Sequence, residues 1–305
     1  MAANASIEEI KDFIGGKNLV ILAHYYTTPE IQALADFVGD SFYLCQMAAK
    51  AKEETIVICG VNFMGESLKL LCPEKKVLLP EPEAKCPMAQ MTTAEEISKA
   101  RENYEDLAVV CYINSTIEIK ALSDVCVTSA NATKVVSKLP QKNIYFVPDQ
   151  NLGRHVASQL PDKNFYFNQG HCYVHTEITK EKVLASKAKH PQAIILAHPE
   201  CTQDVLEMAD YIGSTSGIIH QATLLEDKEF IVCTEIGILY QLEKNNPGKK
   251  FFFVEPAPFC KDMKKITLDR VYQAIKQEKE EVILDPTMIE RASQGINRMM
   301  ELAKK

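Results

Sequence analysis

The feature that most constrains the fold of this 305-residue chain is an internal repeat that occurs three times along the sequence. Three apolar runs, VILAH, VVCY and IILAH, end at His24, Tyr112 and His198, which are 88 and 86 residues apart. Continuous apolar runs of this length, bounded by loops, are typical of buried parallel strands. The chain is therefore expected to contain three similar α/β units.

A second motif recurs at a constant distance from these strand ends. The segments ADFVGDS, SDVCVTS and ADYIGST end at Ser41, Ser129 and Thr215, each 17 residues after the strand-end residue. Each hydroxyl residue precedes a helix-like segment, where it could cap the helix. The free N–H groups and the positive dipole at such a helix start also attract anions. Both roles remain open from the sequence.

A cysteine completes each repeat. Two further apolar strands follow in each copy, and Cys86, Cys172 and Cys260 come directly after the last of them. Functional groups in parallel sheets gather beyond the carboxyl ends of the strands. We therefore predict an α/β protein of three homologous three-layer α/β/α repeats around a pseudo-threefold axis, each with a mainly parallel sheet, that brings the three cysteines together.

The repeat also divides the chain into domains. The predicted units are residues 1–90, 91–176 and 177–263. The remaining segment, 264–305, has the apolar spacing of helices in TLDRVYQAIKQE and MIERASQGINRMMELA. We expect these helices to join the first unit.

Composition and missing motifs exclude several functional classes. The net charge is −7 and no basic run exceeds short pairs such as Lys264–Lys265, which argues against nucleic-acid binding. No apolar run reaches the length of about 18 residues expected of a membrane span, and the N-terminal segment lacks the layout of a signal peptide. We expect a cytoplasmic protein. The absence of GxGxxG after a strand, GxxxxGK[ST] and GxSxG leaves dinucleotide binding, ATP binding and a nucleophile elbow without support.

The chain has ten cysteines, and most of them, such as Cys59 and Cys111, lie in apolar runs where they are expected to be buried. A disulfide framework is typical of small secreted domains instead. The three cysteines of the repeat could be buried or reactive thiols, a zinc site with His171 and His175 beside Cys172, or an iron–sulfur site. The chain lacks CxxC pairs and the ferredoxin spacing, but three thiolates can hold three irons of a cubane and leave one iron open as a Lewis acid.

Polar side chains at the strand ends are candidates for proton transfer and anion binding. His24 and His198 could bind a carboxylate or phosphate or transfer protons, although histidines at the rim of a core are a common alternative. Glu200 is the best candidate carboxylate for moving a proton, unless it is a solvated surface side chain. Further hydroxyl and amide groups near the strand ends belong to Tyr26, Tyr112 and Asn114.

The motifs LAHYY, ADFVGDS, NFMGES, KCPMA, YINST, TSANA, PDQNLG, GHC, AHPEC, GSTSG, TEIG and CKDMK, read in order over residues 18–300, resemble the quinolinate synthase A family of bacterial and archaeal NAD synthesis. The resemblance implies one [4Fe-4S] cluster held by Cys86, Cys172 and Cys260, with one open iron that acts as a Lewis acid. It also implies a transferase that condenses iminoaspartate with dihydroxyacetone phosphate to quinolinate, with loss of phosphate and water. An aspartate-oxidising enzyme is the expected supplier of iminoaspartate.

Proton transfer in this reaction would need acid and base groups, and the expected catalytic residues are Glu200, Tyr26, His24 and His198. The resemblance also implies which residues bind substrate. The expected substrate-binding residues are His24, Ser41, Tyr112, Ile113, Asn114, Ser129, His198, Pro199, Glu200 and Thr215.

Two rival classes remain open. A three-repeat [4Fe-4S] redox or radical enzyme of the diphthamide-synthesis or diphosphate-reductase kind would share the three cysteines but require an electron donor. An iron–sulfur carrier or sensor would transfer its cluster readily to an acceptor and would not need Glu200 and His198.

Overall fold

The structure, a computed structural model, describes residues 6–304. The strands are β1 Leu19–His24, β2 Phe37–Gly39, β3 Thr55–Cys59, β4 Lys76–Leu78, β5 Leu107–Tyr112, β6 Val125–Val127, β7 Asn143–Val147, β8 Asn164–Phe167, β9 Ile194–Ala197, β10 Tyr211–Ile212, β11 Glu229–Cys233 and β12 Lys250–Phe252. The helices are α1 Ile7–Ile14, α2 Pro29–Leu34, α3 Ser41–Lys50, α4 Asn62–Leu71, α5 Ala94–Asn103, α6 Ile117–Ala121, α7 Ala132–Ser137, α8 Gln150–Ser158, α9 Tyr173–Thr176, α10 Lys180–Lys189, α11 Gln203–Leu206, α12 Thr215–Leu224, α13 Leu239–Asn245, α14 Leu268–Gln277 and α15 Pro286–Lys304. Short 3-10 helices span Pro87–Gln90, Ile236–Ile238 and Met263–Lys265.

The strands form three sheets of the same topology. Their orders are β2-β1-β3-β4, β6-β5-β7-β8 and β10-β9-β11-β12, and every pairing between these strands is parallel. Helices alternate with the strands along the chain, as parallel connections require. The prediction of an α/β fold with three repeats, each built on a parallel sheet, is confirmed.

The three apolar runs that revealed the repeat occupy equivalent interior strands, β1, β5 and β9. Each of them is hydrogen-bonded to a neighbour on both sides, and nearly all of their residues are buried. This burial explains why the runs are apolar throughout instead of alternating with polar residues. Because the strands are equivalent, His24, Tyr112 and His198 lie at the same edge of their respective sheets.

The first two repeats share one hydrophobic core, whereas the third repeat has hydrophobic cores of its own. One continuous core contains side chains of the first two sheets and of the C-terminal helices, whereas the third sheet has its own cluster of buried side chains on each face. Helix α15 packs against α4 of the first sheet unit and against α6, α7 and β6 of the second. Its buried residues include Ile296 and Met299, each of which contributes about 1.5–3 kcal/mol by burial.

The predicted domain limits at residues 90, 176 and 263 fall between the sheets, and the division into these domains stays a prediction. The outermost predicted residues, 1–5 and 305, lie outside the described residues. None of the helices in the described part of the chain is long and apolar enough to cross a membrane.

Candidate active site

A cavity at the carboxyl edges of the three sheets is lined by residues from all three repeats. The residues singled out from the sequence that line it are His24, Tyr26, Ser41, Cys86, Tyr112, Asn114, Ser129, Cys172, His198, Glu200, Thr215 and Cys260. Of the other two expected binding positions, Ile113 and Pro199 are buried between these residues and do not line the cavity. His171 also lies outside it, so the structure does not join this side chain to Cys172 as a zinc ligand pair.

The three repeat cysteines differ from the other seven. Cys86, Cys172 and Cys260 are partly exposed to the cavity, whereas the remaining cysteines are buried, and all ten are free thiols. Each of the three precedes a helical turn whose backbone N–H groups point to its sulfur atom. Burial raises the pKa of all three thiols, to about 12 for Cys86, so a nearby cation is needed to favour the thiolates. This donor set fits a metal cofactor.

A histidine that the sequence analysis considered only as a zinc ligand connects one cysteine to the acidic residue. His175 is fully buried, and its Nδ1 lies 2.7 Å from Oε2 of Glu200 and 3.2 Å from Sγ of Cys172. The ligand atoms of these three residues all lie within 4.8 Å of one another, a second arrangement suited to a metal ion. His175 therefore orients both a candidate metal ligand and the candidate proton carrier.

His24 and His198 are uncharged hydrogen-bond donors in this cavity. Burial lowers the pKa of His24 to about 4, and burial together with the stacked His175 ring, 4.6 Å away, lowers that of His198 to about 3. The Nδ1 atoms accept backbone N–H groups of Tyr26 and Glu200 at 3.1 and 3.3 Å. Each neutral ring must then carry its proton on Nε2, and in His198 this N–H lies 3.3 Å from Oγ of Ser129, another residue that lines the cavity.

Glu200 supplies a buried carboxylate with one oxygen available. Burial favours its neutral form, but His175 and His198 outweigh this effect and hold the pKa of Glu200 below its usual range. Oε2 contacts His175, and the Tyr112 hydroxyl also interacts with this carboxylate, whereas Oε1 is buried and has no hydrogen-bond partner among the described residues. An unpartnered buried carboxylate oxygen is costly unless a ligand donates to it.

Tyr26 and Tyr112 present neutral phenols to the cavity. Burial and the charge of Glu200 raise the pKa of both hydroxyls well above its usual value. The Tyr26 hydroxyl lies 3.0 Å from Oγ1 of Thr215 and 2.7 Å from Oγ1 of Thr234, so contacts across two repeats fix its position.

The interpretation of Ser41, Ser129 and Thr215 as helix caps is wrong. The N-cap residue lies one position earlier in the first and third repeats and two positions later in the second. Asp40 and Ser214 cap α3 and α12, because their extended backbones let a side-chain oxygen reach the N–H of Tyr43 and Gly217. The N-cap position of α7 is Asn131. Ser41 and Thr215 are instead the first residues of their helices, and all three predicted hydroxyl residues line the cavity, where their role in anion binding stays a prediction.

Two carboxylates that were not predicted from the sequence hold the cysteine loops. Asp149 accepts the backbone N–H of Cys172 at 3.2 Å, and Glu235 accepts that of Cys260 at 3.0 Å. Both acidic side chains are fully buried. The signal in the sequence was a carboxylate 23 or 25 residues before the cysteine in the second and third repeats.

Thr234 and Lys264 hold further residues around the cavity in place. Thr234 Oγ1 contacts the Tyr26 hydroxyl and, at 2.9 Å, Nε2 of His175. Lys264 forms an ion pair with Glu235 at 2.8 Å and also donates to the backbone carbonyl of Tyr26. Lys264 lies behind the cavity wall, and the described residues that line the cavity include no lysine or arginine. An anion in the cavity would therefore meet backbone N–H groups, hydroxyls and the imidazoles of His24 and His198, beside the carboxylates of Asp40 and Glu200.

Comparison with known proteins agrees with this geometry. Residues 6–301 match the model of the family described as "Quinolinate synthetase A protein". The chain is 48% identical to a protein named quinolinate synthase from Caldicellulosiruptor saccharolyticus, over 97% of both chains. It is 47% identical to proteins of the same name from Clostridioides difficile, over 97% of both chains, and from Aquifex aeolicus, over 97% of this chain and 94% of the relative. The chain therefore belongs to the quinolinate synthetase A family of enzymes.

Proposed function

We propose that this chain condenses iminoaspartate with dihydroxyacetone phosphate to form quinolinate, with release of phosphate and water. The observation that carries the proposal is the convergence of one cysteine from each repeat on a cavity that also contains a buried carboxylate and neutral imidazole donors. The names of the chain's relatives support the same product.

Cys86, Cys172 and Cys260 would hold a [4Fe-4S] cluster in this proposal. When bound through three protein ligands, the cluster supplies one open iron, a Lewis acid for a substrate oxygen. The backbone N–H groups directed at the three sulfur atoms favour the thiolate forms that such binding requires.

The side chains would divide binding and proton transfer between them. The Nε2–H groups of His24 and His198 donate to carboxylate or phosphate oxygens, and the helix start at Thr215 stabilises the same charges. Ser41 contacts the substrate through its hydroxyl. Glu200 accepts a proton from the substrate on Oε1, because this oxygen is ionised and otherwise unpartnered. Further proposed contacts with substrate come from Tyr26, Tyr112, Ile113, Asn114, Ser129 and Pro199.

The proposed substrates imply a partner enzyme and a cellular location. An enzyme that oxidises aspartate would supply iminoaspartate, and we propose that both enzymes act in the cytoplasm.

We also propose that the chain is divided into three units, residues 1–90, 91–176 and 177–263, with residues 264–305 joined to the first unit.

The test is quinolinate formation from the two substrates by anaerobically reconstituted protein whose iron and sulfide have been counted. We expect turnover that is lost in air, and loss of both cluster and turnover in Cys172→Ala. Cys59→Ala is the matched control, since Cys59 is buried away from the cavity and its replacement should leave iron content unchanged.

Two results would contradict the proposal. Turnover by a cluster-free Cys172→Ala protein would exclude the metal role of this cysteine. A fully loaded protein without turnover would instead favour a redox or radical enzyme that requires an electron donor.

A further inference from the structure

The three repeats differ at the position that precedes each predicted hydroxyl. Asp40, Thr128 and Ser214 occupy this position, so a carboxylate occurs in the first repeat alone. Ser214 shows that a hydroxyl suffices to cap a helix here, because its Oγ accepts the N–H of Gly217 at 3.2 Å. Capping therefore does not explain why the first repeat carries a charged side chain with two oxygens.

The second carboxylate oxygen of Asp40 makes no hydrogen bond within the described part of the protein. Oδ1 accepts the N–H of Tyr43 at 3.0 Å, whereas Oδ2 is buried and has no hydrogen-bond partner among residues 6–304. The side chain is 6% exposed and lines the cavity. Burying such an oxygen without a partner is unfavourable, and a ligand that donates a hydrogen bond would remove the cost.

The charge of Asp40 also decides which ligand group fits beside it. The positive end of α3 would attract an anion, but the carboxylate opposes this attraction, because like charges repel and the repulsion is stronger in a buried site than in bulk water. The start of α12, capped by the neutral Ser214, keeps its attraction for anions. The two helix starts are thus suited to different parts of one substrate.

We propose that Asp40 is a specificity-determining residue whose Oδ2 accepts a hydrogen bond from an O–H or N–H group of an anionic substrate. This inference rests on the proposed function, in which the candidate donors are the hydroxyl of dihydroxyacetone phosphate and the N–H of iminoaspartate. The anionic groups of the substrates bind at the start of α12.

Two variants separate this role from helix capping. Asp40→Asn and Asp40→Ser both keep a side-chain oxygen that can cap α3, and serine reproduces the residue of the third repeat. We expect both variants to retain the cluster and the melting temperature of the wild type, but to lose about 10- to 100-fold in kcat/KM, the effect of one hydrogen bond to a charged group. Glu30→Gln is the matched control for net charge, because Glu30 is exposed and outside the cavity.

Ligand pairs that differ in one donor test the inference without turnover. The pairs are dihydroxyacetone phosphate with hydroxyacetone phosphate, and malate with succinate, titrated calorimetrically into anaerobically reconstituted protein. We expect the wild type and Glu30→Gln to bind the donor-bearing member of one pair at least about 10-fold more tightly. In Asp40→Ser this ratio should approach one. The pair that responds identifies which substrate donates to Asp40.

The outcomes distinguish this inference from the proposed reaction. A ratio that depends on Asp40 in a protein without quinolinate turnover would retain the donor site and reject the reaction. Turnover accompanied by equal ratios in the wild type and Asp40→Ser would reject the donor site and retain the reaction. Absence of any preference in the wild type, including absence of binding, overturns the role of Asp40.

Discussion

At the scale of single residues, the cysteine loops of the second and third repeats are held in the same way. A buried carboxylate, Asp149 or Glu235, accepts the backbone N–H of Cys172 or Cys260. This hydrogen bond fixes the loop and leaves the sulfur free to bind a metal, and hydrogen-bonded groups next to the ligands of metal sites orient those ligands in the same way. Glu235 has a second task, because it is also the counter-charge of Lys264.

Replacement of Glu235 by glutamine should be strongly destabilising. The Lys264 side chain is only 15% exposed, and glutamine would leave its charge buried without an opposite charge. The expected loss in the free energy of unfolding is about 3–5 kcal/mol, measured by urea denaturation of the cluster-free protein under anaerobic conditions.

Glu229→Gln provides the control for this prediction. Glu229 pairs with Lys250 at 3.0 Å in a partly exposed position, where the lysine side chain is 68% exposed. Its loss should cost less than about 1 kcal/mol. Equal effects of the two substitutions would show that the pair formed by Glu235 and Lys264 is not a buried ion pair in solution.

The repeat in the sequence predicted which residues lie near one another at this scale, but not their contacts. Equivalent positions in three parallel sheets must reach equivalent edges, so spacing alone led to His24, Cys86 and their counterparts. The contacts of His175 with Thr234 and Glu200 join a residue of α9 to residues of two loops, and no periodic pattern encodes such pairs. The roles of all these residues in substrate binding stay predictions.

At the scale of helices and strands, the constant spacing of 17 residues predicted helix starts without identifying the caps. A capping residue has an extended backbone, whereas the next residue is already helical. Asp40 and Ser214 are extended, with ψ angles of 173° and 169°, so the hydroxyls after them fall inside the helices. In the second repeat, a loop closed by Asn131, whose Oδ1 accepts the N–H of Thr128, delays the start of α7 until Ala132.

Ser214→Ala should weaken the start of α12. The substitution removes the acceptor for the N–H of Gly217 and is expected to cost about 1 kcal/mol in the free energy of unfolding. Urea denaturation monitored by circular dichroism measures the change.

Ser98→Ala in α5 is the matched control, because Ser98 is exposed and its hydroxyl only donates to the carbonyl of Ala94 within the helix. Its effect should stay within about 0.5 kcal/mol. A Ser214→Ala variant as stable as this control would mean that water replaces the cap without cost.

At the scale of the whole molecule, the third repeat is attached differently from the other two. The first two repeats share one apolar core, which α15 extends, whereas the core clusters of the third repeat are separate. Polar contacts reach the third repeat from the others, including Gln32 to the carbonyl of Gly237 at 2.9 Å and Asn151 to that of Glu200 at 3.1 Å. Polar contacts of this kind are individually worth about 0.5–1.5 kcal/mol, less than an extended apolar core.

This difference predicts that cofactor removal loosens the third repeat most. Cys260 follows β12 of the third sheet and packs against the shared core beside Cys86 and Cys172. A group bound to all three cysteines therefore strengthens the attachment of the third repeat at this point. A ligand bound only by the folded protein stabilises the contacts it bridges. Anaerobic hydrogen exchange should therefore show faster exchange of β9 and β11 amides in the cluster-free protein, with smaller changes in β1 and β5.

The Cys86→Ala variant is the control for this experiment. It should behave like the cluster-free wild type before and after reconstitution, since it cannot complete the ligand set. A uniform change in all three sheets, or no change in β9 and β11, would mean that the protein contacts alone hold the third repeat in place.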